Sequence, residues 1–481
     1  LKTATTSQAP APANRELLSL SEEAVALALR AGAADAEAVA FESDDFAVNV
    51  RLGQVEQLTE SGSRALGLRV FFHAPEGGQR TASTSTSDLS SDGIAKLVSG
   101  AVELAKVTGA DPFAGLPHAD LFGSLDIDSL ALYFSDVDEI PPGERIEIAR
   151  RCEAAALGFD ARIQNTSGAH FDVSTAQRVM VNSRGFSGSY RRSYCGFSVT
   201  PIAQDADGAM QRDYWYSSAR SSKLLASPEE VGRIAAERAL RRLGARRVST
   251  QKCPVVFSAD TARSLMHNLI SAADGDSIYR NASMFAGKLG EQVAGENITM
   301  VDDGTMVFDH TLPDGSTLRT GGFGTSPFDG DGLPIRRTVI IENGILKNLM
   351  LNTYTGRKLN LPSTGKASRG LAGAPGIGGG NYFLQPGTLT TEQIIADIPN
   401  GLYVLSTMGF GVNLVTGDYS QGASGLWIEN GELAYPVEEI TIAGNLKDMF
   451  RNVSAIGNDL EFLSSGAVPT VRIEGMTIAG S

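Results

Sequence analysis

Apolar residues along the chain follow two periods, and the changes from one to the other outline its elements. The segment "LSLSEEAVALALRAGA" carries apolar side chains at helical spacing, with Ser19 three residues before Glu22 as a capping box and Gly32 as its stop. From Ala36 to Phe72 apolar and polar residues alternate in short runs, which predicts a meander of antiparallel strands. Helical spacing returns in "SDLSSDGIAKLVSGAVELAKVTG", placing Ile94, Leu97, Val98, Ala101 and Leu104 on one face. A third helix follows in "EIPPGERIEIARRCEAAAL", whose prolines suit only a first turn. Strand-like runs then fill residues 161–216, and Ser227 and Pro228 start a helix that runs to about 245.

The second half opens with "CPVVFSAD", a buried-strand pattern leading into a helix that carries His267. Beyond it helical periodicity largely stops. Runs such as "RTVIIENGIL", "LYVLSTMGFGVNL" and "GLWIENGEL" are separated by glycine-rich turns, with Asn343-Gly344 and Asn430-Gly431 reading as two-residue hairpin turns. The fold class is therefore α+β. An N-terminal α+β domain with an antiparallel sheet spans residues 19–247, with a subdivision near 120. A β-rich C-terminal domain, barrel-like or a coiled antiparallel sheet, spans 248–481, and residues 1–18 form a disordered tail.

Composition narrows the function classes. The 41 basic and 55 acidic residues leave a net charge of −14, which argues against direct contact with nucleic acid or an anionic membrane. The arginines of "RRLGARR" (241–247) sit where a helix C-terminus favours positive charge. Three cysteines, Cys152, Cys195 and Cys253, are far apart and form no CxxC pair, which fits a reducing, cytoplasmic setting without disulfides. No apolar run reaches membrane-spanning length.

Short motifs fail one by one. On the helix through "RSLMHNLISAADGD", Ala262, Leu265, Met266, Leu269 and Ala273 form the core face, with Ser264, His267, Ser271 and Asp274 opposite. A zinc-peptidase helix needs two imidazoles and a carboxylate base, and the position one turn after His267 is Ser271, a poor zinc ligand. His73, His118, His170 and His310 are unpaired in sequence. Asp329 and Asp331 begin like a calcium loop that fails at Leu333 and Ile340, leaving a polar loop. The glycine-rich stretch 370–383 lacks the context of a phosphate-binding loop and reads as a flexible or partner-bound segment.

Longer segments carry more information. "VEQLTESGSRALGLRVFF", "GDGLPIRRTVIIENGILKNLMLNTYTGRK", "MGFGVNLVTGDYSQGASGLWIENGELAYPVEEITIAGNLKDMF" and "IGNDLEF" together resemble the TldD/PmbA family and, within it, the PmbA (TldE) branch. The resemblance runs from about residue 20 to the C-terminus. It implies a heterodimeric zinc metallopeptidase acting on unfolded or small peptides, in which the TldD subunit supplies a His-Glu-x-x-x-His helix and a cysteine ligand near its C-terminus. Alignment on "DGD" (274–276) puts Met266 and His267 at the His-Glu positions and Ser271 at the second histidine, while "FLSSGAVPTVRIEG" offers no cysteine.

The expectation is a catalytically silent, metal-free subunit with no cofactor of its own, paired with a TldD-like zinc-bearing homologue and forming a homodimer when alone. The stretch Asp418, Tyr419, Ser420, Gln421, Gly422, Ala423, Ser424 and Gly425 is the candidate channel or interface loop for a peptide. Two alternatives stand beside this reading. One is a homodimeric hydrolase with a site assembled from distant residues, including His267 and Asp274. The other is a regulatory protein-binding module, as the family's description as a modulator of DNA gyrase suggests.

Overall fold

The structure is a computed structural model and describes residues 15–123 and 126–480. Its N-terminal half contains α1 (Arg15–Arg30), β1 (Asp35–Arg51), β2 (Gln54–His73), β3 (Gln79–Thr86), α2 (Ser91–Val107), α3 (Pro142–Leu157), β4 (Ile163–Asn182), β5 (Ser187–Gln204), β6 (Met210–Arg212), β7 (Trp215–Ala219) and α4 (Pro228–Leu240). The strands form one antiparallel sheet in the order β3-β2-β1-β4-β5-β6, with β7 also pairing to β5. The sheet crosses residue 120 without a break. At 17 to 20 residues, β1, β2 and β4 are long for strands.

The alternation along β1 decides what covers each face of the sheet. Ala36, Ala38 and Ala40 point to the side covered by α1 and α2, and Phe46, Val48 and Val50 point to the same side further along, beneath α3 and α4. The intervening positions, Glu37 and Val39, point the other way, where Val39 packs with Met180, Phe186 and Phe328. All four helices thus lie on one face, and the C-terminal half lies against the other.

Several helix boundaries differ from the sequence expectation. Ser19 is inside α1, because fully buried Leu17 belongs to the helix's core face and extends it toward the N-terminus. The expected tail therefore gives way to helix at Arg15, and its residues 1–14 lie outside the described residues. In α2, Leu104 is 47% exposed, whereas Val102 and Ala105 complete the buried stripe. Ser227 caps α4 as expected, accepting from Glu230 N at 3.2 Å, but the helix ends at Leu240.

The C-terminal half runs β8 (Gln251–Phe257), α5 (Ala259–Ala272), α6 (Gly275–Tyr279), β9 (Met300–Asp303), β10 (Val307–Thr311), β11 (Thr317–Gly321), β12 (Arg337–Glu342), β13 (Ile345–Leu346), α7 (Thr353–Leu359), β14 (Ala367–Ser368), β15 (Gly376–Ile377), β16 (Asn381–Leu384), α8 (Thr391–Ile395), β17 (Asn400–Met408), β18 (Asp418–Glu429), β19 (Glu432–Asn445), α9 (Leu446–Arg451), β20 (Val453–Ile456), β21 (Gly466–Ala467) and β22 (Val471–Ala479). Strands β19-β18-β17-β8-β22 close on themselves where Thr441–Ala443 pair with Thr477–Ala479, making a five-strand barrel. A second sheet has the order β13-β12-β9-β16-β21. Both Asn-Gly pairs are hairpin turns with positive φ at each residue, joining β12 to β13 and β18 to β19.

One apolar core joins barrel strands, α5 and the second sheet. The halves are tied by buried polar contacts. Arg220 donates to the carbonyls of Gly321 and Gly322 at 2.8 and 2.7 Å, and burial lowers its pKa to about 10. Glu37 lies between Arg69 at 3.1 Å and Arg369 at 2.6 Å. Arg357 of α7 donates to the carbonyls of Phe113, Gly115 and Leu116. Among the described residues, no helix is long and apolar enough to cross a membrane.

Candidate functional site

Helix α5 starts directly after β8, so the barrel fixes its position and its apolar stripe fixes its rotation. Leu265, Met266 and Leu269 are buried in the core, and Met266 has no exposed surface. His267 is rotated to the exposed side, and Ser271, one turn on, is half-buried. The helix is regular and faces the core as its sequence pattern predicts.

The surroundings of His267 were not legible in the sequence. Its ring lies 5.2 Å from that of Tyr382 on β16, tilted by 47°. Tyr382 pairs with Gly466 of β21, where a Cβ would stand 2.3 Å from the tyrosine Cζ, so this glycine makes room for the ring. One turn before His267, Arg263 donates to Ser464 Oγ at 2.8 Å. The C-terminal segment "FLSSGA" therefore reaches α5, bringing hydroxyls and a glycine to that helix. Desolvation by the neighbouring atoms lowers the His267 pKa and raises that of Tyr382, so both stay neutral near pH 7. His267 makes no hydrogen bond or ion pair among the described residues. Asp274 instead caps α6, accepting from Ser277 N at 2.9 Å.

These residues do not fit a zinc ion. Met266 is locked in the core, Ser271 offers a neutral hydroxyl, and a single imidazole cannot hold the metal. Among the described residues, no three His, Cys, Asp or Glu side chains gather as a metal-binding group. The three thiols are buried, which pushes each pKa up to about 12 and suppresses the thiolate that zinc would need.

Residues Asp418–Gly425 are not a loop. They form the first part of β18, paired with β19 from Asp418 and with β17 from Gly422, with Tyr419, Ala423 and Ser424 buried. The glycines that suggested a turn serve close strand contact: a Cβ on Gly425 would lie 2.0 Å from the Tyr403 carbonyl oxygen. Ser424 accepts from Arg242 Nη2 at 2.9 Å.

The other flagged residues also have structural partners. Asp329 Oδ1 accepts from the backbone of Asp331 and Leu333 and its Oδ2 from Ala367, while Asp331 Oδ2 accepts from Thr353 N. The polar loop that holds these aspartates is buried, and they fix its turns and join it to neighbouring segments. Burial and the neighbouring Asp331 raise the Asp329 pKa. Lys366 is buried against Asp302, a pair that no sequence spacing announced. Leu371 seats the 370–383 segment on the N-terminal sheet, its carbonyl so near Gly67 that a Cβ there would be 1.6 Å away. Of the arginines in 241–247, Arg242 pairs with Asp213, Arg246 stacks on Tyr435 and Arg247 pairs with Glu439. His170 lies 3.6 Å from Asp172 and His310 bonds Thr320, so the scattered histidines do not converge.

Comparison with known proteins bears on the whole chain. Residues 36–105, 135–243 and 250–480 match the family models described as PmbA/TldA metallopeptidase domain 1, central domain and C-terminal domain. The chain is 38% identical over 471 residues to the metalloprotease PmbA of Escherichia coli O157:H7, covering 97% of both. It is 36% identical over 461 residues to the PmbA homologue of Haemophilus influenzae, covering 95% of both. A Bacteroides thetaiotaomicron structure, provisionally described as a modulator of DNA gyrase, superposes with a TM-score of 0.85 at 25% identity, covering 96% of this chain and 98% of that one. The TldE structure from Thermococcus kodakarensis has the same fold, with a TM-score of 0.82 at 19% identity over 96% of this chain and 100% of that one.

Proposed function

Since the chain belongs to the PmbA/TldD metallopeptidase family, we propose that it is the metal-free member of a peptidase pair, joining a homologous TldD-like subunit that holds the zinc. The observation that carries this reading is α5. At the positions where a TldD-like helix presents two imidazoles and a glutamate, this helix presents a core methionine, a lone histidine and a serine.

The division of labour follows from that donor set. The partner's zinc would activate water and polarise the scissile carbonyl. The present chain would hold and align an extended peptide and shield it from bulk water, which speeds reaction by fixing geometry. Neutral His267 and Tyr382 offer two tilted rings with polar edges, suited to packing against a peptide and lending it hydrogen bonds. Cytoplasmic location and formation of a homodimer without the partner belong to the same proposal.

Reconstitution tests it. This chain alone should leave an unfolded peptide uncut, and adding a TldD-like subunit should yield cleavage that a chelator abolishes. His267→Ala in this chain should leave kcat of the pair within about threefold, since no proton or ligand role passes through it. Cleavage by this chain alone, lost in His267→Ala, would establish the homodimeric hydrolase instead.

A further inference from the structure

A second site lies away from α5, between the N-terminal sheet and the C-terminal half. It is a cleft of about 240 Å3. Arg178 and Tyr190 face each other across β4 and β5, and Arg192 follows two positions along the same face. The opposite side comes from residues 323–330, 365–369 and 378–380, including Phe323, Phe328 and Ser368.

The charge balance here is opposite to that of the molecule. Although the chain carries a net −14, Arg178 and Arg192 have no ion-pair partner among the described residues. Arg178 donates through Nη2 to the Arg369 carbonyl at 2.9 Å, which orients its guanidinium and leaves other donors open. Arg192 is exposed at the cleft and makes no hydrogen bond among the described residues. The nearby acids do not neutralise them: Asp302 is taken by Lys366, Glu37 by Arg69 and Arg369, and both Asp329 oxygens by backbone N–H groups.

Two cations beside aromatic walls define a ligand. Buried Phe328 backs Tyr190 edge-to-face at 5.3 Å, and half-buried Tyr190 and Phe323 give the cleft an aromatic surface next to the guanidinium pair. The volume falls below the usual range of roughly 300–1,000 Å3 for drug-sized pockets, so it suits a single residue and excludes a large polyanion. A planar carboxylate matches the guanidinium fork, and an apolar side chain beside it would use the rings that a bare phosphate would leave idle.

We propose that this cleft is a subsite for the C-terminal residue of a peptide, with Arg192 and Arg178 on its carboxylate and Tyr190 and Phe323 against its side chain. This deepens the reading of the chain as a peptide-holding subunit and rests on it. Its test needs neither the partner nor cleavage, so failure of one can be told from failure of the other.

Calorimetric titration of the full chain at low ionic strength, with an acetylated Ala-Ala-Phe peptide as the free acid and as the C-terminal amide, separates the outcomes. The acid should bind at least about tenfold more tightly than the amide, since a charge-assisted pair is lost in the latter. Arg192→Gln should weaken the acid by a similar factor and leave the melting temperature unchanged. Arg192 is the chosen position because Arg178 also ties strand β4 to Arg369. Equal binding of acid and amide, no binding of the acid, or inorganic phosphate binding more tightly than the acid would overturn the proposal.

Discussion

At the scale of single residues, buried charge is spent on joining segments. Lys366 and Asp302 are both almost fully buried, and Asp302 Oδ2 also accepts from Gly380 N at 2.8 Å. Removing one partner strands the other charge in the interior, so Lys366→Ala should cost about 3–5 kcal/mol, read by urea unfolding. Asp329 makes a pH prediction. Its pKa rises from 3.8 to about 7 because burial and Asp331 disfavour its charge. Between those values the folded state binds more protons than the unfolded one, so this group's contribution to stability falls as pH rises across the window. Asp329→Asn should flatten that part of the stability-versus-pH curve, whatever its effect on absolute stability, and an unchanged slope would assign the dependence to other groups.

At the scale of elements, α5 separates packing from chemistry. Met266→Ala should destabilise the protein by about 2–5 kcal/mol through a core cavity. His267→Ala, on the exposed face, should stay within about 0.5 kcal/mol, both measured by chemical denaturation. This division was readable from the 3.6-residue pattern, as were the Asn-Gly hairpins, because local conformation and burial specify them. Strand β18 was not readable as a strand in its first part. Gly422 and Gly425 look like turn residues until β17 is in place, since they make room for the Met408 side chain and the Tyr403 carbonyl. The Tyr382 contact with His267 and the Glu37–Arg369 pair were equally hidden, as each joins residues more than a hundred positions apart.

At the scale of the whole molecule, one sheet serves two layers. Helices cover one face, and the barrel-bearing half covers the other through Arg220, Glu37 and Arg357. Arg220→Ala would leave buried carbonyls without a donor and should increase amide hydrogen exchange in residues 321–325, on the far side of the junction, more than in the barrel strands. The family's three segments are all present, so on the proposed reading the difference from a zinc-bearing homologue would lie in side chains on α5 and the segment that meets it. The most direct test of that claim is the zinc content of this chain purified alone. Far less than one zinc per chain is expected, even after incubation with zinc and desalting. About one tightly held zinc per chain, removable only by a strong chelator, would contradict it and place a metal site where α5 supplies none.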